Sequence, residues 1–252
     1  MNSTSQKPQI LKNLKFLREQ NGSLLLTFPR SGSTLTRQIV ARIVRSKLEN
    51  LYPGVTKEHT MFRSEFILPN LTDDLSHRLT EFNNFPLILR THDAVSIDGL
   101  KTIFWFRDPA DSLYSYFQMM RRFRPDSEFG NFLRQAVPLW ENLATMALAK
   151  ARLEPASICL VRYEDYVANP MPTFQRISDF CGLAVERETS AAVRDVNKNF
   201  QSQSSFVPTE AQPQRGVIGL SATTMDAAKR DMVQMRLLPL YKTLSDLTES
   251  RR

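Results

Sequence analysis

A chain of 252 residues with 42% hydrophobic content is long enough for one large α/β domain and too apolar for a disordered protein. Its net charge of +7 favours anionic ligands, but the basic residues are spread along the chain rather than gathered in a run, which speaks against nucleic acid as the partner. Cys159 and Cys181 suggest neither a disulfide framework nor a zinc site and suit a reducing cytosol, and His59, His77 and His92 have no metal-ligand spacing, so no metal is expected.

Residues 1–8 are polar and read as a loose N-terminus without the apolar stretch of a signal peptide. No apolar run approaches the ~20 residues of a membrane span, so a cytoplasmic protein without membrane attachment is expected. Ile10, Leu11, Leu14 and Leu17 mark a short amphipathic helix closed by Asn21-Gly22. Leu24 to Phe28 reads as a buried strand, and Leu35, Ile39, Val40 and Ile43 follow at helical spacing. An irregular stretch starts at Pro53-Gly54, and Asp73 to Phe82 predicts a helix. Leu87 to Arg90 and Thr102 to Phe106 are short strands, each ending in polar residues. Asp108 and Pro109 predict the start of a helix through Tyr114 and Met120. Phe129 to Ala151 is helical with an interruption expected near Pro138. Ser157 to Arg162 is a strand ending at Tyr163-Glu164-Asp165, where the two carboxylates are expected to cap the next segment. Helices follow over Pro172 to Cys181 and Thr189 to Lys198. Residues 201–221 carry Ser, Gln and Pro with no apolar period and read as a mobile lid loop. Met225 to Leu247 closes the chain as a helix broken at Pro239. Strands alternating with helices predict one domain over 1–252: a P-loop-like, three-layer α/β fold with a central parallel sheet flanked by helices.

The chemistry gathers around Pro29-Arg30-Ser31-Gly32-Ser33-Thr34, between the first strand and its helix. Gly32 lets backbone approach an anion, Ser33 and Thr34 offer hydroxyls, and the first helical N–H groups lack intrahelical partners. Arg30 adds a fixed, forked cation. The Gly-Lys pair of a Walker A loop is missing, which weakens a kinase reading. His92, just past a strand, has an ordinary pKa near ~6.5 and suits a general base.

Four strand ends, in order, carry Arg30-Ser31-Gly32-Ser33, Arg90-Thr91-His92, Arg107-Asp108-Pro109 and Tyr163-Glu164-Asp165. This set resembles the cytosolic sulfotransferases, which use 3'-phosphoadenosine 5'-phosphosulfate (PAPS) and release 3'-phosphoadenosine 5'-phosphate (PAP). Thr27 to Leu35 is similar to that family's 5'-phosphosulfate loop, Arg107 to Tyr116 to its 3'-phosphate motif, and Arg215-Gly216-Val217-Ile218-Gly219 to the tail of its Arg-Lys-Gly-x-x-Gly motif. The resemblance covers residues 23 to 219 and implies a catalytic set of His92, Arg30, Arg90 and Ser115. By it, His92 deprotonates the acceptor, Arg30 stabilises the leaving charge and Arg90 faces the sulfuryl oxygens. It also implies nucleotide binding by Arg30, Ser31, Gly32, Ser33, Thr34, Leu35, Arg107, Ser115, Tyr163, Arg215 and Gly216, without a metal. Arg107 and Ser115 would hold the 3'-phosphate, with Arg215 and Gly216 closing over it, and Tyr163 would lie by the adenine; Asp111 reads as structural. Leu35 stands where the family carries an adenine-stacking tryptophan, Gln214 where it carries an arginine, and Ala191 to Asp195 lack its hydroxyl and aromatic ring. The family's dimer signature is missing, which leaves a monomer or a dimer of another type. The implied partner is a small hydroxylated acceptor, O- or N-sulfated, with Phe62, Phe66, Phe123 and Phe129 as candidate walls. A P-loop-type small-molecule kinase and a non-catalytic anion- or nucleic-acid-binding module are the alternatives; a Golgi-type carbohydrate sulfotransferase is disfavoured without an anchor.

Overall fold

The computed structural model describes residues 3–32, 35–38, 68–75, 87–182, 190, 193, 219, 221 and 225–251. Its centre is a four-stranded, all-parallel sheet in the order β2-β1-β3-β4, built from β1 (Ser23–Thr27), β2 (Ile88–Thr91), β3 (Lys101–Phe106) and β4 (Ile158–Arg162). Strands of a sheet covered on both faces must be apolar on both, and these are. Leu24, Leu26, Phe104, Phe106, Ile158 and Leu160 enter one core cluster, while Leu25, Ile103, Trp105, Cys159 and Val161 enter the other. The helices α1 (Ser3–Glu19), α2 (Pro109–Arg121), α3 (Phe129–Leu153) and α6 (Ala227–Glu249) supply the first cluster. The short α4 (Tyr163–Ala168), α5 (Pro170–Cys181) and the helical turn at 35–38 supply the second. That is the expected three-layer α/β arrangement with its central parallel sheet. Because β1 is flanked by β2 on one side and β3 on the other, the chain changes direction across the sheet at β1. In an open parallel sheet such a switch opens a crevice at the strands' carboxyl ends.

Several boundaries differ from the sequence reading. Helix α1 already runs from Ser3, where residues 1–8 were expected to be loose. Its anchoring stripe begins at Leu14 and Leu17, which are buried, and Asn13 fixes it by donating to the Leu71 and Asp73 carbonyls at 2.7 and 2.9 Å; the polar turns simply extend that anchored helix. Helices α3 and α6 run unbroken through Pro138 and Pro239. A proline inside a helix costs about 3 kcal/mol, but each here has buried residues on both sides: Leu133, Ala136 and Val137 then Trp140, Leu143 and Ala144 in α3, and Val233 and Leu237 then Leu244 in α6. Burying even two such side chains gives about 3–6 kcal/mol, so packing overrides the breaker. Residues 73–75, expected to begin a helix, are not helical. Of the helix expected over 189–198 only Ser190 and Val193 are described, both helical and Val193 buried, and most of the 201–221 segment lies outside the described residues.

Candidate active site

The loop after β1 is shaped by its own backbone. Ser31 N–H closes a turn on the Phe28 carbonyl at 3.2 Å, and the Gly32 carbonyl accepts the N–H groups of Leu35 and Thr36 at 3.0 and 3.1 Å, starting the helical turn. Arg30 takes a left-handed φ of 68°, uncommon for a residue with a side chain. Gly32 has φ of 119°, and a Cβ there would stand 2.5 Å from Trp105 Nε1 and 3.1 Å from Tyr163 Cδ2. Only glycine fits, because the loop lies directly on the indole of β3 and the phenol ring that follows β4.

From this loop, contacts run to every other motif at the sheet edge. Arg30 Nε donates to Ser115 Oγ at 3.3 Å, tying the loop to α2. The Arg107 guanidinium lies 4.7 Å over the Tyr163 ring and 3.4 Å from Asp111. Asp108 caps α2 by accepting from Asp111 N–H at 2.9 Å. Glu164 accepts the Asp108 N–H at 3.0 Å, and Asp165 pairs with Arg162. Of the two carboxylates expected as caps, Glu164 thus braces the end of β4 to the residue that caps α2, while Asp165 holds the last residue of β4. Burial holds Glu164 and Asp108 above the usual carboxylate range, against the backbone bonds that favour their charge.

His92 is half-buried at the end of β2, and its Nδ1 lies 2.8 Å from the Thr27 carbonyl. A carbonyl only accepts, so Nδ1 carries the proton and Nε2 is the basic nitrogen. Burial lowers the pKa of His92 below 6.5 and nearby Arg90 acts the same way, while the Thr27 bond and Asp93 oppose. The ring is therefore a neutral base at pH 7, held in one tautomer by β1. Arg90, at the β2 position paired with Leu25, is half-buried beside it.

Of the sequence-stated candidates, the structure brings together Arg30, Ser31, Gly32, Arg90, His92, Arg107, Ser115 and Tyr163. Leu35 goes elsewhere: it is 3% exposed, packed under the sheet with Leu25, Trp105 and Val161. An apolar side chain at the first described helical position turns into the core, as that of Leu35 does here. Ser33, Thr34, Arg215 and Gly216 lie outside the described residues, as do Phe62 and Phe66. Phe129 packs in an aromatic cluster with Tyr114, Phe117 and Phe132, and Phe123 is exposed.

Trp105, Asp111 and Glu164 are site residues that pattern reading did not assign. Asp111 reads as structural and Glu164 as a cap, while the one trace of Trp105 in the sequence is its place two residues before Arg107 in a strand, on the face shared with Ile103. Two donors flanking Gly32, Ser31 Oγ and Trp105 Nε1, are buried without a hydrogen-bond partner. Unmet donors beside a glycine-lined loop and three arginines fit a polyanion. Among the described residues no cluster of His, Cys, Asp or Glu could hold a metal ion.

The Sulfotransferase domain family matches residues 20–220. The chain is 23% identical over 225 residues to flavonol 3-sulfotransferase of Flaveria bidentis, covering 79% of this chain and 70% of that protein. Its fold is similar to that of a mouse sulfotransferase complexed with PAP, with a TM-score of 0.62 and 16% identity over 98% of this chain and 95% of the other. It is also similar to retinol dehydratase in a complex with retinol and PAP, with a TM-score of 0.57 and 18% identity over 88% and 81% of the two chains.

Proposed function

The chain belongs to the sulfotransferase domain family, and from that premise we propose that it moves the sulfuryl group of PAPS to a hydroxyl or amine of a small-molecule acceptor, by in-line displacement with His92 as general base. The observation that carries this reading is the His92 tautomer. The bond from Nδ1 to the Thr27 carbonyl turns Nε2 into the proton acceptor at the carboxyl edge of the sheet, beside the Arg30 loop. A base is useful only where something must lose a proton, which separates transfer chemistry from plain anion binding.

In this reading the acceptor O–H gives its proton to His92 Nε2 as the oxygen attacks sulfur. The acceptor–sulfur bond forms while the bond between sulfur and the bridging phosphate oxygen breaks, and PAP leaves. Arg30 stabilises the charge that develops on that oxygen; its pKa is too high for proton donation. Ser31 and Gly32 line the 5' end with Ser33 and Thr34, and Arg90 faces the sulfuryl oxygens. Arg107 and Ser115 take the 3'-phosphate. The Arg30–Ser115 bond supports the assignment of Ser115 to the catalytic set, because it couples the two ends of the nucleotide site. Tyr163, with Arg107 against its ring, lies toward the adenine. No step requires a metal.

For the acceptor, an aromatic file adjoins the loop: Phe28 meets Tyr116 at 5.7 Å, and Tyr116 meets Phe132 at 5.2 Å. It suits a small acceptor with an apolar body and one hydroxyl. The names of the similar proteins point the same way, with a flavonol and retinol among them. Two buried, unpaired cysteines, with thiols pushed up to about 11 and about 12 by burial, fit a reducing, cytoplasmic setting. No helix among the described residues is long and apolar enough to cross a membrane.

Arg107→Ala tests the nucleotide assignment. Loss of a charge-assisted fork should weaken PAP by about 1.5–3 kcal/mol and adenosine 5'-phosphate (AMP) far less. Equal losses for the two ligands in calorimetry would remove Arg107 from the 3'-phosphate site.

A further inference from the structure

Asp111 is a buried acid, 3% exposed, set beside an arginine proposed to take a phosphate. Its position raises a question of charge, since an acid there repels the same ligand. Asp111 is the third residue of α2, where an acid commonly reaches back to cap the N–H of the residue before the helix. It does not do so here. That N–H, of Asp108, is taken by Glu164 at 3.0 Å. The Asp111 carboxylate is thereby released from helix capping.

Its bonds go to a distant part of the chain. Oδ2 accepts Gly219 N–H at 2.7 Å, and Oδ1 accepts Ser221 N–H at 2.9 Å and Ser221 Oγ–H at 2.6 Å. Oδ2 also faces Arg107 Nη2 at the longer distance of 3.4 Å. Three short, neutral bonds solvate the carboxylate, and the long one sets the direction of the guanidinium. Arg107 is thus fixed on two sides, by the Tyr163 ring and by Asp111.

We propose that Asp111 is a positioning residue for the 3'-phosphate site, orienting Arg107 while tethering the backbone at Gly219 and Ser221 to the start of α2. This rests on the assignment of Arg107 to the 3'-phosphate. The acid is tolerated beside an anion because its own charge is already met by donors from 219 and 221. A residue that merely supported the fold would alter stability and affect all nucleotides alike. A positioning residue for Arg107 alters the preference for a 3'-phosphate.

The test is calorimetry with PAP and AMP on the full chain, wild type, Arg107→Ala, Asp111→Asn and the double variant, with thermal unfolding of each sample. Asparagine keeps the shape but places an N–H₂ against donors. Asp111→Asn is expected to reduce the PAP-over-AMP preference about tenfold or more, and to add little once Arg107 is alanine. Ser221→Ala removes one donor with a milder effect on folding and is expected to reduce the preference a few-fold. A wild-type protein with no preference for PAP would overturn the Arg107 reading and this inference with it. A strong wild-type preference, lost in Arg107→Ala but kept in Asp111→Asn, overturns the role of Asp111 alone. If Asp111→Asn does not fold, an unchanged preference in folded Ser221→Ala overturns it equally.

Discussion

At the scale of single residues, the site is a set of short restraints on groups that must not move. His92 is the clearest case: one bond to the Thr27 carbonyl selects the tautomer, and burial keeps the ring neutral. In the nucleotide-free protein, ¹⁵N NMR is expected to show an Nδ1–H ring titrating below 6.5. Because a base works only when deprotonated, a lowered pKa keeps His92 competent to lower pH, so an Nε2–H ring or a midpoint above 6.5 would contradict the geometry. Turnover of His92→Ala should fall about 10²–10⁴-fold with PAP affinity nearly intact; near-normal turnover per folded molecule would remove it from the mechanism. Gly32→Ala should act in the opposite way. A methyl group 2.5 Å from Trp105 Nε1, at a φ of 119°, must push the loop off its bed. PAP affinity is expected to drop at least about tenfold, and a variant binding PAP as well as wild type would show that the loop is not the cradle. The loop, His92 and Arg107 were legible in the sequence because they follow strands and carry chemistry on their face, and Ser115, inside α2, only through the family resemblance. Asp111 and Glu164 were not, since what each does depends on partners set by tertiary folding: Ser221 for one and Asp108 for the other.

At the scale of elements, the sheet's carboxyl edge is braced by two half-buried acids, Asp108 and Glu164, whose charge is disfavoured. Glu164 joins the end of β4 to the start of α2, and burial raises its pKa above 4.5. The folded state then holds that proton more tightly than the unfolded chain. Its contribution to stability is present below 4.5 and is lost as pH rises through the raised value. Glu164→Gln keeps an oxygen for the Asp108 N–H and cannot ionise. Its stability relative to wild type should therefore improve as pH rises from about 4 to 7, read as urea midpoints; a relative stability that stays flat or declines would show that the carboxylate is not penalised. Helices α3 and α6 show why sequence boundaries failed at Pro138 and Pro239. Local breaker rules see one lost hydrogen bond, while the buried residues on both sides of each proline are visible only in the packed chain. Helix α1 likewise extends to Ser3 because Asn13 and Leu17 anchor it, not because its first turns favour helix.

At the scale of the whole molecule, parallel strands put all four polar strand ends on one edge, and a switch in strand order at β1 opens it. That layout was legible because strands alternated with helices and each ended in polar residues. The assignment of side chains to the two faces was not, since continuous apolar runs such as Leu24-Leu25-Leu26 carry no period to read. The most direct test is transfer itself. Purified protein is given PAPS with a panel of small phenols, alcohols and amines, and sulfated product and PAP are quantified together, with ATP in a parallel reaction. The account predicts a sulfated product formed in step with PAP, without added metal and strongly reduced in His92→Ala. Phosphate transfer from ATP with none from PAPS, or PAPS turnover indifferent to the loss of His92, would contradict it.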